Sequence, residues 1–299
     1  MKNLLLVMLV SMALAACSVK QMAVNVIGDA LAGGAGVYAS DNDPELVREA
    51  IPFGLKTYES LLEVSPDHRG LLLAAANGFV AYAFLVKDEA DRIDASDLAR
   101  ARHLRARASR LYLRGRDYAL RGLAVTHADF TTALYSDEVA ALATTTDEDV
   151  PFLYWAGAGW AGALSADKNN LDLIAELPIA GALVRRVIEL DEAYELGAAH
   201  EFFIPYEGSR PGGSAEEARR HYRRALALSG GARASVHLAL AEAVTVPEQN
   251  LAEFRDLVAA ALTVDPDAVP ALRLANTLAR RRAQWLESRI PELFVDADL

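Results

Sequence analysis

Cysteine is nearly absent from this chain of 299 residues, which contains one Cys, at position 17. A single thiol cannot form an internal disulfide or a Cys-x-x-Cys redox or metal motif. The sequence also lacks Gly-x-x-x-x-Gly-Lys, His-Glu-x-x-His and Gly-x-Ser-x-Gly, the motifs of nucleotide-binding, zinc-protease and serine-hydrolase sites. The six histidines are scattered. These absences argue against an enzyme, and no cofactor or metal is expected.

Basic residues are also in the minority, with 30 Lys and Arg against 41 Asp and Glu, a formal net charge of −11. An acidic protein of this kind is a poor partner for nucleic acid. Aromatic residues make up only 7% of the chain, whereas hydrophobic residues as a whole make up 53%. This composition, rich in Ala and Leu, indicates a helical globular protein with a substantial core.

The first 16 residues, with Lys2 followed by an apolar run and small residues, have the pattern of an export signal. The lone Cys17 follows in Leu-Ala-Ala-Cys, which resembles the lipobox of bacterial lipoproteins, where the Cys is acylated after cleavage. We therefore expect a signal peptide over 1–16 and a lipidated tether over 17–42, anchoring the protein in a membrane. Because Ser18 is not the Asp that resembles an inner-membrane retention signal, the inner leaflet of the outer membrane is favoured over the inner membrane. The alternative is a signal peptide followed by a free thiol.

One spacing of four, three and five residues recurs along the chain. It connects Ala218, Tyr222, Ala225 and Gly230; Phe254, Val258, Ala261 and Pro266; and Ala180, Val184, Val187 and Glu192. Steps of three and four keep side chains on one helix face, and the last step ends at a turn. A repeat of this kind is typical of tetratricopeptide-like helix hairpins. The sequence predicts an all-α fold, a TPR-like helix-hairpin superhelix over residues 43–299, with twelve to fourteen helices and no strand.

Local signals mark the ends of several elements. Asp43 and Pro44 predict the start of the first helix of the domain, and Ser214 with Glu217 predicts a capping box. Pro178 is expected to separate two helical units, and residues 198–213 are expected to form an extended loop that interrupts the repeat.

An arginine-rich helix is expected over residues 94–125. It could bind an acidic partner, but a solvated face that pairs with the surplus acids elsewhere is the preferred interpretation. Its arginines are Arg100, Arg102, Arg105, Arg107, Arg110, Arg114, Arg116 and Arg121.

Aromatic residues and glycines alternate in PFLYWAGAGWAGALSA, from position 151 onward. Tight helix packing around core tryptophans is the preferred explanation, and an aromatic wall of a ligand cavity is the alternative. If there is a ligand site, we expect it near Tyr154, Trp155 and Trp160. Asn77 and Asn276 are candidate polar lining, because a buried amide needs partners, although repeat packing could satisfy both.

Several blocks resemble one family. They are the lipobox, ASDNDPELVR at 39–48, FLYW at 152–155, ELP at 176–178, GAAH at 197–200, RPGG at 210–213 and DPDA at 265–268. Together they are similar to the TRAP-associated lipoproteins, the T component of tripartite ATP-independent periplasmic transporters. The resemblance implies a TPR-like helical lipoprotein of the periplasm that associates, as a homotrimer, with the solute-binding P protein of such a transporter. It also implies a pore or cleft for a small organic or hydrophobic ligand. No catalytic residue is carried over.

Two non-enzymatic functions therefore remain from the sequence. The first is the transporter accessory that docks a solute-binding protein. The second is a general TPR-type scaffold lipoprotein for outer-membrane assembly, which composition and repeat length do not distinguish from the first.

Overall fold

The computed structural model describes residues 21–295, except residues 23 and 95. Within these residues every regular element is helical, which confirms the predicted all-α class. Residues 1–16, which are expected to form a signal peptide, and Cys17 lie outside the described residues. The helices are α1 (Ala35–Ala39), α2 (Pro44–Leu62), α3 (Arg69–Ile93), α4 (Leu98–Thr126), α5 (Phe130–Ser136), α6 (Glu138–Ala143), α7 (Val150–Ala166), α8 (Leu171–Leu190), α9 (Ala198–Ser209), α10 (Ala215–Ser229), α11 (Ala234–Leu240), α12 (Leu251–Thr263), α13 (Arg273–Ser288) and α14 (Ile290–Leu293).

The recurring spacing corresponds to helix hairpins. Helices α8 and α9, α10 and α11, and α12 and α13 follow one another as pairs, as α2 and α3 do at the start. The small or branched residues of the pattern, such as Ala180, Val184, Ala225 and Ala261, are fully or almost fully buried. Gly230 ends α10 with φ of 59°, a left-handed conformation that favours glycine. The arrangement is that of the predicted helix-hairpin superhelix.

Two predicted interruptions are wrong. Pro178 lies inside α8, and the stretch expected to be an extended loop forms α9, which contains Pro205. An interior proline costs a helix about 3 kcal/mol or more. Burial of Leu183 and Val184 on α8, and of Phe203 on α9, offsets this cost, so packing overrides the local signal.

Helix starts follow the sequence more closely. The Asp43 carboxylate accepts hydrogen bonds from the backbone N–H groups of Glu45 and Leu46 at 3.1 and 3.0 Å, and Pro44 occupies the first turn of α2. Ser214 Oγ accepts from the N–H of Glu217 at 3.0 Å, which is half of the predicted capping box. Within the segment expected to be a tether, residues 24–32 are helical and are followed by α1.

The middle of the molecule is built on long helices that do not follow the repeat. Helix α3 is apolar and long enough to cross a membrane, but 56% of its most apolar stretch is buried against neighbouring helices, as in a core helix. Helix α4 packs on α3 and α7. Its arginines reach acids and aromatic rings, as Arg100 does with Glu89 and Arg105 with Asp94. The arginine-rich face therefore pairs largely within the fold.

The core consists of two hydrophobic clusters that adjoin on α9. Phe203 belongs to the cluster built on α2 to α8, and its neighbour Ile204 belongs to the cluster built on α10 to α14. Helix α13 then packs back on α1 and α2. Arg281 pairs with both oxygens of Glu45 at 2.5 and 3.0 Å, and Arg273 donates to the carbonyl of Ser40 at 2.9 Å. The last hairpin thus closes the superhelix against its beginning.

Candidate functional site: a charged cleft between the two halves

The aromatic residues predicted to form a ligand wall lie on α7 in two environments. Tyr154 and Trp155 are half-buried and contact each other with ring centroids 5.0 Å apart, and Tyr154 also contacts Tyr194 at 5.4 Å. Trp160 is only 1% exposed, and its Nε1 donates to Glu176 at 2.8 Å. Trp160 therefore has the contacts of a core residue, whereas Tyr154 and Trp155 reach a partly exposed edge.

The two asparagines differ in the same way. Asn276 is buried on α13, where its Oδ1 accepts from the N–H of Ala234 at 3.0 Å and its Nδ2 donates to the carbonyl of Ala232 at 2.9 Å. These bonds connect α13 to the start of α11, as repeat packing requires. Asn77 is half-buried on α3. A ligand role for the five residues remains a prediction.

A larger cavity lies where α13 closes against α3 and α4. Its volume is about 480 Å³, and a second cavity of about 240 Å³ lies beside α2, α3 and α13, lined in part by Arg48 and Arg281. We call the larger cavity the charged cleft, because five cationic and four anionic side chains line it. The lining residues are Lys87, Asp91, Asp94, Arg105, Ser165, Ala166, Asp167, Lys168, Asn169, Glu242, Arg282, Trp285 and Arg289.

One ion-pair network crosses the charged cleft and connects helices of the first core cluster to helices of the second. The Nε of Arg282 donates to Glu242 Oε1 at 3.2 Å, and its Nη1 lies 3.6 Å from Asp91 Oδ2. Asp91 also accepts from Lys87 at 2.8 Å and pairs with Arg105 at 3.1 Å. Burial acts to raise the pKa of Asp91, but the surrounding cations, Lys87 above all, lower it below its ordinary value. The carboxylate is therefore held charged, and it ties α3, α4 and α13 together.

Trp285 and Arg289 form the least satisfied part of this lining. The guanidinium carbons of Arg282 and Arg289 lie 4.1 and 5.0 Å from the Trp285 ring centroid. Arg289 pairs with Glu292 through Nη2 at 2.5 Å, but its buried Nε has no acceptor among the described residues. An unpaired buried donor costs about 1–3 kcal/mol. Arg289 therefore has a donor that no described residue satisfies, next to the half-buried ring of Trp285 in the wall of the cleft.

Local patterns gave no signal for this cleft, whose residues come from positions 87 to 289. The stretch from Arg280 to Arg289 contains four arginines and Trp285, and it is the one local feature that could have drawn attention to the cleft. Two of these arginines pair with acids that are distant in sequence, Arg281 with Glu45 and Arg282 with Glu242.

The histidines do not assemble a metal site. Among the described residues, no group of three or more His, Cys, Asp and Glu side chains could hold a metal ion. His200 Nε2 lies 3.0 Å from Glu192 Oε1, and its Nδ1 lies 2.8 Å from His221 Nδ1. Burial lowers the pKa of both imidazoles, that of His221 to about 4, with His200 a further cause for His221. The two imidazoles form a contact between α9 and α10, and their lowered pKa values favour the neutral form of both rings.

A superhelix of helix hairpins that offers an extended surface and a charged cleft is typical of a binding protein. Residues 40–294 match the family described as TRAP transporter T-component. The chain is also 29% identical, over 268 residues, to an uncharacterized protein of Treponema pallidum (strain Nichols). The aligned region covers 87% of this chain and 83% of that relative. The chain belongs to the TRAP transporter T-component family.

Membership of this family gives the coarse function. It associates the protein with a TRAP transporter and with a periplasmic or membrane-associated location, and the family is of a non-enzymatic kind. It does not favour the alternative of a general scaffold in outer-membrane assembly.

Proposed function

We propose that the protein is a lipid-anchored accessory component that docks the solute-binding protein of a TRAP transporter and shelters a small organic ligand in the charged cleft. The observation that carries the proposal is that the whole cleft, from Lys87 to Arg289, lies within the residues that match the T-component family. Acylated Cys17 anchors the chain in the inner leaflet of the outer membrane, and the protein acts as a homotrimer.

Docking is tested with the purified chain from Ser18 onward and a TRAP-transporter solute-binding protein from the same organism. We expect association at micromolar concentration in sedimentation velocity, where the same run also reports whether the accessory protein is a trimer. A surface of stacked helix hairpins suits such a partner, because it is extended and rigid. Two proteins that sediment independently at all concentrations would contradict docking.

The cleft is tested through Arg289. Native mass spectrometry of the protein purified from its own membranes should show a bound small molecule, and denaturation should release it for identification. Arg289→Gln removes the buried donor and should weaken or abolish retention of this molecule, because an anionic group of the ligand then loses the one guanidinium in the cleft whose Nε has no acceptor among the described residues. The matched control is Arg102→Gln, which removes an exposed arginine from α4. Equal retention by both variants would contradict the assignment of the site.

The anchor is tested by Cys17→Ser. Fractionation should find the variant released from the membrane, since the acyl chains supply the attachment. A variant that stays in the outer-membrane fraction would contradict the lipid anchor, and recovery of the unaltered protein in the inner membrane would contradict the assigned leaflet.

A further inference from the structure

The helical segment of residues 24–32 has one side fixed against α3. Ser65 Oγ donates to Asn25 Oδ1 at 2.7 Å, and His68 Nε2 lies 3.3 Å from the carbonyl of Asn25. Gly28 is buried beside His68, since a Cβ at position 28 would stand 2.9 Å from that Nε2. Asn25 and Gly28 therefore define the inward side of this segment, which we call the N-terminal helix.

The outward side of the N-terminal helix is apolar. Val26 and Ile27 are 66% and 51% exposed, and Ala30 is also exposed. At 3.6 residues per turn, Val26 and Ala30 lie nearly opposite Gly28. Met22, which is 64% exposed, extends the same apolar surface. A helix on a protein surface normally turns polar residues to water, so an apolar outward side requires another cover.

We propose that this apolar side lies in the interface of the membrane that holds the lipid anchor, so that the N-terminal helix sets the orientation of the domain on the bilayer. The inference rests on the proposed acylation of Cys17. Four residue steps separate Cys17 from Gln21, and they span at most about 14 Å even when fully extended. The first turn of the helix is therefore always within reach of the lipid surface.

Composition favours lipid over a protein partner as the cover. Asp29 is the one charged residue between positions 21 and 32; its side chain is 77% exposed, at the edge of the apolar side, and its Oδ1 lies 3.3 Å from the His68 Nε2. The remaining outward residues are aliphatic, and Lys20 precedes them in the sequence. Amphipathic helices with aliphatic outward sides and flanking cations lie in the plane of the interface, where anionic lipid attracts the cation.

The test uses the lipidated full chain reconstituted in vesicles of phosphatidylethanolamine and phosphatidylglycerol. Cys17 is the one native cysteine, so its acylation leaves Ala30→Cys as the single site for an environment-sensitive dye. We expect the dye emission in vesicles to be blue-shifted relative to the same dye on the unlipidated chain from Ser18 onward in solution. We also expect lipids that carry nitroxide groups to quench this emission. The same dye at Asp256→Cys, an exposed position on α12, should show neither effect.

A second variant separates the helix from the anchor. Val26→Asp places a charge at the centre of the apolar side, and it should abolish quenching at position 30 while flotation with the vesicles persists through the acyl chains. Quenching that survives Val26→Asp, equal quenching at position 256, or a dye at position 30 that stays in water would each overturn the inference. Shielding of the dye in soluble chain without vesicles would assign the surface to a second copy instead.

Mass spectrometry of the N-terminal peptide keeps this test distinct from that of the anchor. Acyl chains on Cys17 with a water-exposed dye would contradict the membrane-facing helix and leave the proposed anchor intact. A peptide without acyl chains would contradict the anchor and the inference together.

Discussion

Substitution of Gly159 by alanine tests the close contact of α7 with α4. Gly159 is fully surrounded, and a Cβ there would stand 2.9 Å from the carbonyl oxygen of Tyr112 and 3.0 Å from the backbone nitrogen of Arg116. Both neighbours are main-chain atoms of a 29-residue helix, which cannot move aside as a flexible side chain can. We therefore expect Gly159→Ala to force α7 and α4 apart.

The magnitude follows from two opposed effects. Alanine gains about 1 kcal/mol over glycine through helix propensity. Overpacking of a close-packed core costs about 1–3 kcal/mol, and the upper end applies where backbone meets backbone. We expect the free energy of unfolding of Gly159→Ala to fall by about 1–2 kcal/mol, measured by urea titration with far-ultraviolet circular dichroism.

Gly36 provides the matched control for this measurement. It lies in α1, and a Cβ there would meet no atom within 4 Å. Gly36→Ala should leave stability unchanged or raise it by up to about 1 kcal/mol. A Gly159→Ala protein as stable as the unaltered chain would refute the reasoning, because it would show that the contact between α7 and α4 has room for a methyl group.

Three further expectations concern the polar contacts of the fold. Burial lowers the pKa of His200 and of His221, the latter to about 4, so below about pH 6.5 the unfolded chain binds more protons than the folded one. Urea titrations should therefore show the free energy of unfolding falling between pH 6.5 and about pH 4, by up to about 3 kcal/mol, and His221→Gln should remove most of this fall. Asn276→Ala should lower the free energy of unfolding by about 1–3 kcal/mol in thermal unfolding, because it leaves the N–H of Ala234 and the carbonyl of Ala232 without their partner. The control Gln284→Ala, at an exposed position, should change it by almost nothing. Arg282→Met should lower the free energy of unfolding by about 2 kcal/mol. If its effect and that of Glu242→Gln simply add in a double-mutant cycle, the coupling between Arg282 and Glu242 is contradicted.

The hairpins could be predicted from the sequence because they depend on local spacing. Steps of three and four residues place Ala218 and Ala225 on one helix face, and both are fully buried in the structure. Gly230 indicated the turn, because a helix commonly ends on a residue with left-handed backbone angles, which glycine adopts without a steric penalty. Pro178 and the interrupted period over residues 198–213 misled the prediction, because tertiary burial, which local sequence does not encode, outweighs the cost of Pro178 in α8 and of Pro205 in α9.

The charged cleft could not be predicted in the same way. Arg282 lies 40 residues from Glu242 along the chain and 191 residues (282 minus 91) from Asp91. Periodicity identifies which side of a helix is buried, but it does not identify which distant helix covers it. The predicted aromatic wall illustrates this limit, since Trp160 was recognised as a large residue among glycines, but its Glu176 partner on α8 was not.

The return of α13 to α1 and α2 gives this superhelix a fixed length. In an open solenoid each repeat touches only its neighbours, so units can be gained or lost at an end with little disturbance elsewhere. Here an added or deleted hairpin would carry Arg281 away from Glu45 and Arg282 away from Asp91, and both cavities would lose a wall. Variation among related chains should therefore accumulate in loops and surfaces, while the number of hairpins stays constant.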